Sequence, residues 1–232
     1  MTPLRFRRTS ALRAGSALAA TALVVATAAP ASAVPVEGNV AASTSASVSG
    51  GCDVETGPNA QSVVFTNKTG PRTAQVDSDY HAFNGDNAAA SGHSDVETTA
   101  SGSVKDRAFK RVDVESTAVI SMTNGSDVGC ALEMDTRSET EVELKVRSRG
   151  GKIKIAWASN TGDLAVVSVT GPSGTLLSKN PTRAEGSYLV KVPPGRYTLT
   201  SIFLVAASEG DVNVGHTKTT IGFYTLRATY VK

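Results

Sequence analysis

The chain reads as an all-β protein, an antiparallel β-sandwich of jelly-roll-like strand succession. Three observations predict it. Apolar and charged side chains alternate with a period of two, which puts them on opposite faces of a strand. Glycine, proline, asparagine and aspartate punctuate these runs roughly every 8–12 residues. No stretch of the chain after the first 33 residues shows a helical period.

The clearest segment runs from Glu139 to Trp157. Val142, Leu144 and Val146 alternate with Glu141, Glu143, Lys145 and Arg147; Ser148-Arg149-Gly150-Gly151 follows; then Ile153, Ile155 and Trp157 alternate with Lys152, Lys154 and Ala156. A glycine pair accommodates the positive φ of a tight reversal. The expectation is a β-hairpin with one face on a core and one in water.

In chain order, residues 1–33 form a secretory signal. Arg5, Arg7, Arg8 and Arg13 precede an apolar stretch over 14–29, and Ala31-Ser32-Ala33 supplies the small-x-small cleavage pattern. Arg7-Arg8 admits the twin-arginine route, but Ser10 and Ala11 stand where its hydrophobic pair belongs, so the two export routes stay open. Val34, not cysteine, follows the cut. The four arginines leave with the signal, so 23 basic and 21 acidic residues become 19 against 21. The basic balance of the whole chain is thus no nucleic-acid footprint, and along the sequence charges of both signs interleave without a basic cluster. No later apolar run approaches a membrane span. The chain is expected to be secreted and extracellular.

Residues 34–51 are rich in Ala, Ser and Gly and are expected to form a flexible tether. The β-sandwich is expected over 52–232, as one unit or as two, 52–137 and 138–232. Cys52 and Cys130 are the only cysteines. In an oxidising compartment such a pair is expected to be bonded, tying the first part of the sandwich to its middle.

Gln61–Thr66 reads as a short strand and Thr73–Tyr80 as another. Asn84–Gly92 reads as a surface loop, and the polar His93–Ser103 as an edge strand. Lys105–Met122 is a strand with one slip of phase near Arg111, which a β-bulge explains. Cys130–Arg137 leads into the central segment. Leu164–Thr170, Thr175–Ser178, Tyr188–Val192, Arg196–Ala207 and Thr219–Val231 follow, with Asn160–Asp163, Gly171–Gly174 and Pro193-Pro194-Gly195 as turns.

Over residues 139–230 the order of elements resembles the bacterial pre-peptidase C-terminal domain. The features shared are Thr161-Gly162-Asp163-Leu164 before a strand, Gly171-Pro172-Ser173-Gly174, and Val192-Pro193-Pro194-Gly195-Arg196-Tyr197 before a late strand. The family's second aspartate is replaced, since Ala165 and Val166 follow Leu164. The resemblance implies a secreted, accessory and non-catalytic sandwich.

Several sets of residues bear on chemistry. Asp77, Asp79 and Asp86, with Asn84 and Asn87, offer oxygens that suit calcium, but His81 stands where an EF-hand places its third ligand and no glutamate closes the loop. The same aspartates with Asp95, His81 and His93 are the candidates for a transition metal, and His81 or His93 with Asp77, Asp79 or Asp95 for a hydrolase assembled from distant residues. A solvated, Asx-rich turn explains the same composition. Glu141 and Glu143 lie about 6–7 Å apart on one strand face, within the spacing glycosidases use, but Lys145 and Arg147 share that face and no apolar pocket is evident. Trp157 is in phase with Ile153 and Ile155 and belongs to the core. Tyr224 and Tyr230 share a phase with Leu226 and Ala228, and core placement is the simpler reading of that stripe. No catalytic signature, such as G-x-S-x-G, H-E-x-x-H or a glycine-rich phosphate loop, occurs.

The sequence therefore favours a secreted, non-catalytic binding or accessory protein that contacts a cell-wall polymer, a matrix component or another secreted protein. An extracellular hydrolase in the acidic, histidine-bearing region and a protease inhibitor presenting Asn180–Gly186 are the alternatives. Neither nucleic acid nor a membrane span is expected.

Overall fold

The structure is a computed structural model that describes residues 36–56, 59–85, 87–106, 108–125, 130–160, 165–181, 183–208 and 212–232. The expected signal over 1–33 lies outside them.

The strands are β1 (Val36–Ser49), β2 (Asp53–Thr56), β3 (Ala60–Thr66), β4 (Arg72–Asn84), β5 (Asn87–Lys105), β6 (Ala108–Asn124), β7 (Ala131–Val146), β8 (Gly151–Ser159), β9 (Ala165–Gly171), β10 (Gly174–Lys179), β11 (Glu185–Val192), β12 (Gly195–Ser208) and β13 (Thr217–Val231). They form a 6-stranded sheet A, in the order β10-β9-β12-β7-β1-β3, and a 7-stranded sheet B, in the order β11-β8-β13-β6-β5-β4-β2. The pairings are antiparallel. Only β4–β5, β5–β6 and β9–β10 join neighbours within a sheet; every other connection crosses to the opposite one. The fold class is the predicted all-β sandwich.

The central segment departs from the expected hairpin. β7 pairs with β1 and β12 in sheet A, whereas β8 pairs with β11 and β13 in sheet B. The turn between them is a corner of the sandwich. It is closed by a hydrogen bond from Gly150 N–H to the Arg147 carbonyl, with Gly150 at φ 62°. Alternation tells which side of a strand is apolar, not which strand lies beside it. Val142, Leu144 and Val146 therefore meet the same core as Ile153, Ile155 and Trp157, from the opposite side.

Within the expected tether over 34–51, Val36–Ser49 is instead β1, a strand between β7 and β3. Its even positions, Val36, Val40, Ala42 and Thr44, are buried, and its odd positions carry Glu37, Asn39 and serines. Small side chains hid an alternation that is present. Thr44 Oγ1 reaches across to Tyr80 Oη at 2.6 Å and Ser78 Oγ at 3.1 Å on β4, fixing β1 against sheet B.

The expected loop Asn84–Gly92 contracts to a short turn, because β5 begins at Asn87. His93–Ser103 is not an edge: β5 lies between β4 and β6. Its inward Ser94, Thr98 and Ala100 are fully buried despite their polarity or small size. The bulge expected near Arg111 is found. Ser103 pairs with Arg111 and Val104 with Phe109, leaving Lys110 as the extra residue on β6.

The disulfide joins Cys52 and Cys130, whose Cα atoms are 5.9 Å apart. It extends the β1–β7 ladder, which ends at the pair Ser49 and Ala131. β7 runs unbroken across the 137/138 boundary considered for two units. Trp157 is buried at 8% exposure, and Tyr224 at 1% stacks on Phe203 in the core, both as the phase of their strands requires.

Candidate functional site

The residues singled out from the sequence lie on the outer face of sheet B. Asp77, Asp79 and His81 project from β4, and His93 and Asp95 from β5. The register sets Asp79 opposite His93 and Asp77 opposite Asp95. His93 Nδ1–H donates to Asp79 Oδ1 at 2.9 Å and lies 3.6 Å from Asp77 Oδ1. The Asp79 hydrogen bond raises the imidazole above its ordinary value, against a smaller lowering by burial, and the charges of Asp77, Asp79 and Asp95 add to the rise. His81 is drawn elsewhere and tilts against Phe83 with ring centres 6.2 Å apart. Asp86 lies outside the described residues. Among the described residues no three or more His, Cys, Asp or Glu side chains converge on a point suited to a metal.

Ser121 of β6 stands in register with His93, so Asp79, His93 and Ser121 follow one another across three strands. The Ser121 hydroxyl shares a hydrogen bond with Thr219 Oγ1 at 3.0 Å. This row is on the open sheet face, its carboxylates largely exposed.

Glu141 and Glu143 project into solvent from sheet A, where Glu143 receives Arg196 at 3.4 Å. The candidate inhibitor loop, 180–186, is tied down. Trp157 Nε1–H donates to the Arg183 carbonyl at 3.1 Å and Ser159 N–H to that of Ala184 at 2.6 Å. Its last two residues already belong to β11, and residue 182 lies outside the described residues.

Two features were not legible in the sequence. The first is a shallow trough on the outer face of sheet B, about 270 Å³ in volume, crossing β6, β13 and β8. Ala156, Ala158 and Thr225 form its floor, and Asp113, Glu115 and Arg227 its rim. Asp113 is held from both sides, by Arg111 Nε at 2.5 Å and Arg227 Nε at 2.7 Å. The side chains are adjacent because Arg227 pairs with Asp113 and with Ala156 across β13.

The second is a basic end of the sandwich. Three depressions of about 400, 200 and 420 Å³ adjoin there, all of them bordered by Lys232. The β7–β8 corner contributes Arg147 and Arg149, the β5–β6 turn contributes Lys105 and Lys110, and Lys152 and Lys191 stand on β8 and β11. Among the described residues Asp106 is the one acidic side chain bordering them, and it is paired with Arg147. The interleaving of charge along the sequence therefore does not carry into space. Cations from turns far apart in the chain converge because the β5–β6, β7–β8 and β11–β12 turns lie at the same end of the sandwich.

No family model matches the chain and no curated protein matches it. Among solved structures, the chain is similar to the carbohydrate-binding module CBM36 in complex with calcium and xylotriose. There the identity is 12% and the TM-score 0.25, over 41% of this chain and 79% of that chain. It is similar to TmCBM61 in complex with beta-1,4-galactotriose at 13% identity and TM-score 0.27, over 56% of this chain and 86% of that one. It is also similar to the secreted serine protease VesC from Vibrio cholerae, at 7% identity and TM-score 0.25, over 78% of this chain and 47% of that chain.

Proposed function

We propose that this chain is an extracellular, non-catalytic binding protein that holds a polymer against the outer surface of its sandwich. The trough on sheet B carries the reading. Its small floor residues leave a groove across strands that are fixed on both sides by ladder hydrogen bonds, so a ligand meets a surface already in its bound shape. The rim offers a carboxylate at Glu115 and the free guanidinium N–H groups of Arg227, groups that select hydroxyl-rich chains by directed hydrogen bonds. The disulfide suits an oxidising compartment. The resemblance of residues 139–230 to the pre-peptidase C-terminal domain supports an accessory role.

The test is sedimentation of the full chain with insoluble cell-wall polysaccharide. Wild type is expected to pellet with the polymer, and Ala158→Trp, which fills the trough, to stay in the supernatant. Equal pelleting of both would remove the trough from the function.

A second reading, an extracellular hydrolase, is favoured by one observation, the row of Asp79, His93 and Ser121. It predicts hydrolytic activity that vanishes in His81→Ala/His93→Ala. The binding reading predicts unchanged retention on the polymer in that variant.

A further inference from the structure

We infer that the basic end of the sandwich is a second binding site, for an anionic polysaccharide. The inference does not depend on the trough.

The first ground is electrostatic. Without residues 1–33 the chain carries 19 basic and 21 acidic residues, so a random patch of its surface would be near neutral or acidic. The strip formed by the three depressions is the opposite. Lys105 and Lys110 stand at one end of it, Arg149 near the middle, and Lys152 and Lys191 at the other end. None of these five has an ion-pair partner among the described residues, whereas five arginines elsewhere or at its border, such as Arg137, Arg196 and Arg227, are each paired with a carboxylate. Like charges brought together without counter-charges repel one another, at a cost in stability. A bound polyanion removes that repulsion.

The second ground is that the strip is shaped. It is not a set of lysines on a flat face. Tyr230 lies half-buried between the cations and borders two of the three depressions. Its hydroxyl donates to the Gly150 carbonyl, and its ring meets Phe109 edge-on with centres 5.7 Å apart. The ring is thereby fixed at the foot of the corner. Pro193 and Pro194 continue the apolar lining on the far side. A sugar ring stacks on such an aromatic or proline surface through its C–H face while its carboxylate, phosphate or sulfate reaches an adjacent cation. Depressions that follow one another suit successive sugars of one chain.

The probes are fluorescently labelled polygalacturonate, whose charge is carboxylate, and poly(glycerol phosphate), whose charge is phosphate. Neutral dextran and a DNA duplex of equal length serve as controls, all titrated into the full chain at low salt. At least one anionic probe other than DNA is expected to bind, with affinity falling steeply as salt is raised. Charge reversal in Lys110→Glu/Arg149→Glu/Lys191→Glu should weaken it by about tenfold or more. Circular dichroism and melting of this variant check its fold; should it misfold, Arg149→Glu alone, on the exposed corner, is expected to weaken binding about threefold. Ala158→Trp should bind these probes as wild type does, which separates this site from the trough. Unchanged binding in the folded charge-reversed variant, absence of binding by both anionic probes, or DNA binding at least as tightly as either would each overturn the inference.

Discussion

The Tyr230 hydroxyl donates a hydrogen bond to the Gly150 carbonyl, joining the last strand to the corner at which the chain passes from sheet A to sheet B. The two residues are 80 apart in sequence, and the contact closes one end of the sandwich. Gly151 makes the approach possible, because a Cβ there would stand 2.6 Å from the Tyr230 ring.

Tyr230→Phe is expected to lower stability by about 0.5–1.5 kcal/mol, the ordinary net worth of one intramolecular hydrogen bond. Gly151→Ala should cost more, since either the ring or the corner must move to admit the methyl group. Chemical denaturation of the two variants ranks them. A Gly151→Ala variant as stable as wild type would show that the ring has room to move.

The disulfide closes a loop with a sequence separation of 78 residues at the end of the β1–β7 ladder. Restricting the unfolded chain over a loop of that length is worth about 4–5 kcal/mol in the chain-entropy account. Cys52→Ser/Cys130→Ser is therefore expected to unfold at markedly lower denaturant concentration, with the slope of the transition changed because the unfolded chain is less confined. β1, whose inward residues are small, is the strand expected to lose amide-exchange protection first.

How far the fold could be read from the sequence follows from what alternation encodes. It marks faces, so the burial of Trp157, Ile155 and Leu226 was legible, and so was the slip that became the bulge at Lys110. It does not mark neighbours, so β7 and β8 read as one hairpin although a corner separates them. It also weakens when inward residues are small. Val40, Ala42 and Thr44 in β1, and Ser94 and Thr98 in β5, are buried because the facing sheet comes close, and composition alone gave them to a tether and an edge strand. The candidate sites show the same division. Asp79 and His93 were legible as members of one acidic, histidine-bearing region, but not as a pair, which needs the register of β4 and β5. The trough needs the register of β6, β13 and β8, and the basic end needs to be told which turns share an end of the sandwich.

Of those buried hydroxyls, Thr98 belongs to a group of three that support one another. Ser138 Oγ on β7 is 2.6 Å from Thr98 Oγ1 on β5 and 2.6 Å from Ser116 Oγ on β6, a bridge between the sheets. Ser138→Ala removes the shared partner and is expected to destabilise by about 1–3 kcal/mol, the penalty for buried polar groups that lose a hydrogen bond. The triple variant Ser138→Ala/Thr98→Val/Ser116→Ala should recover most of that loss, because it leaves no hydroxyl unpaired. Thermal melts of both decide between a cooperative network and independent contacts. A triple variant that loses the sum of the three single changes would refute the network.

The Asp79–His93 pair makes a prediction in pH. Because the hydrogen bond to Asp79 raises the His93 value in the folded protein, the pair contributes stability in the protonated state. That contribution is fully present below the unfolded value of about 6.5 and is lost as pH rises through the higher folded value. It is small, since the imidazole is 44% exposed and solvent screens the pair. The titration itself is the sensitive readout. In an NMR pH series the His93 ring protons should titrate above those of a free imidazole, and Asp79→Asn should move their midpoint down towards the ordinary range. Asp77→Asn should move it less, because Asp77 acts only through its charge at 3.6 Å. Equal shifts in the two variants would mean that the field of the whole acidic row, not one hydrogen bond, sets the protonation of His93.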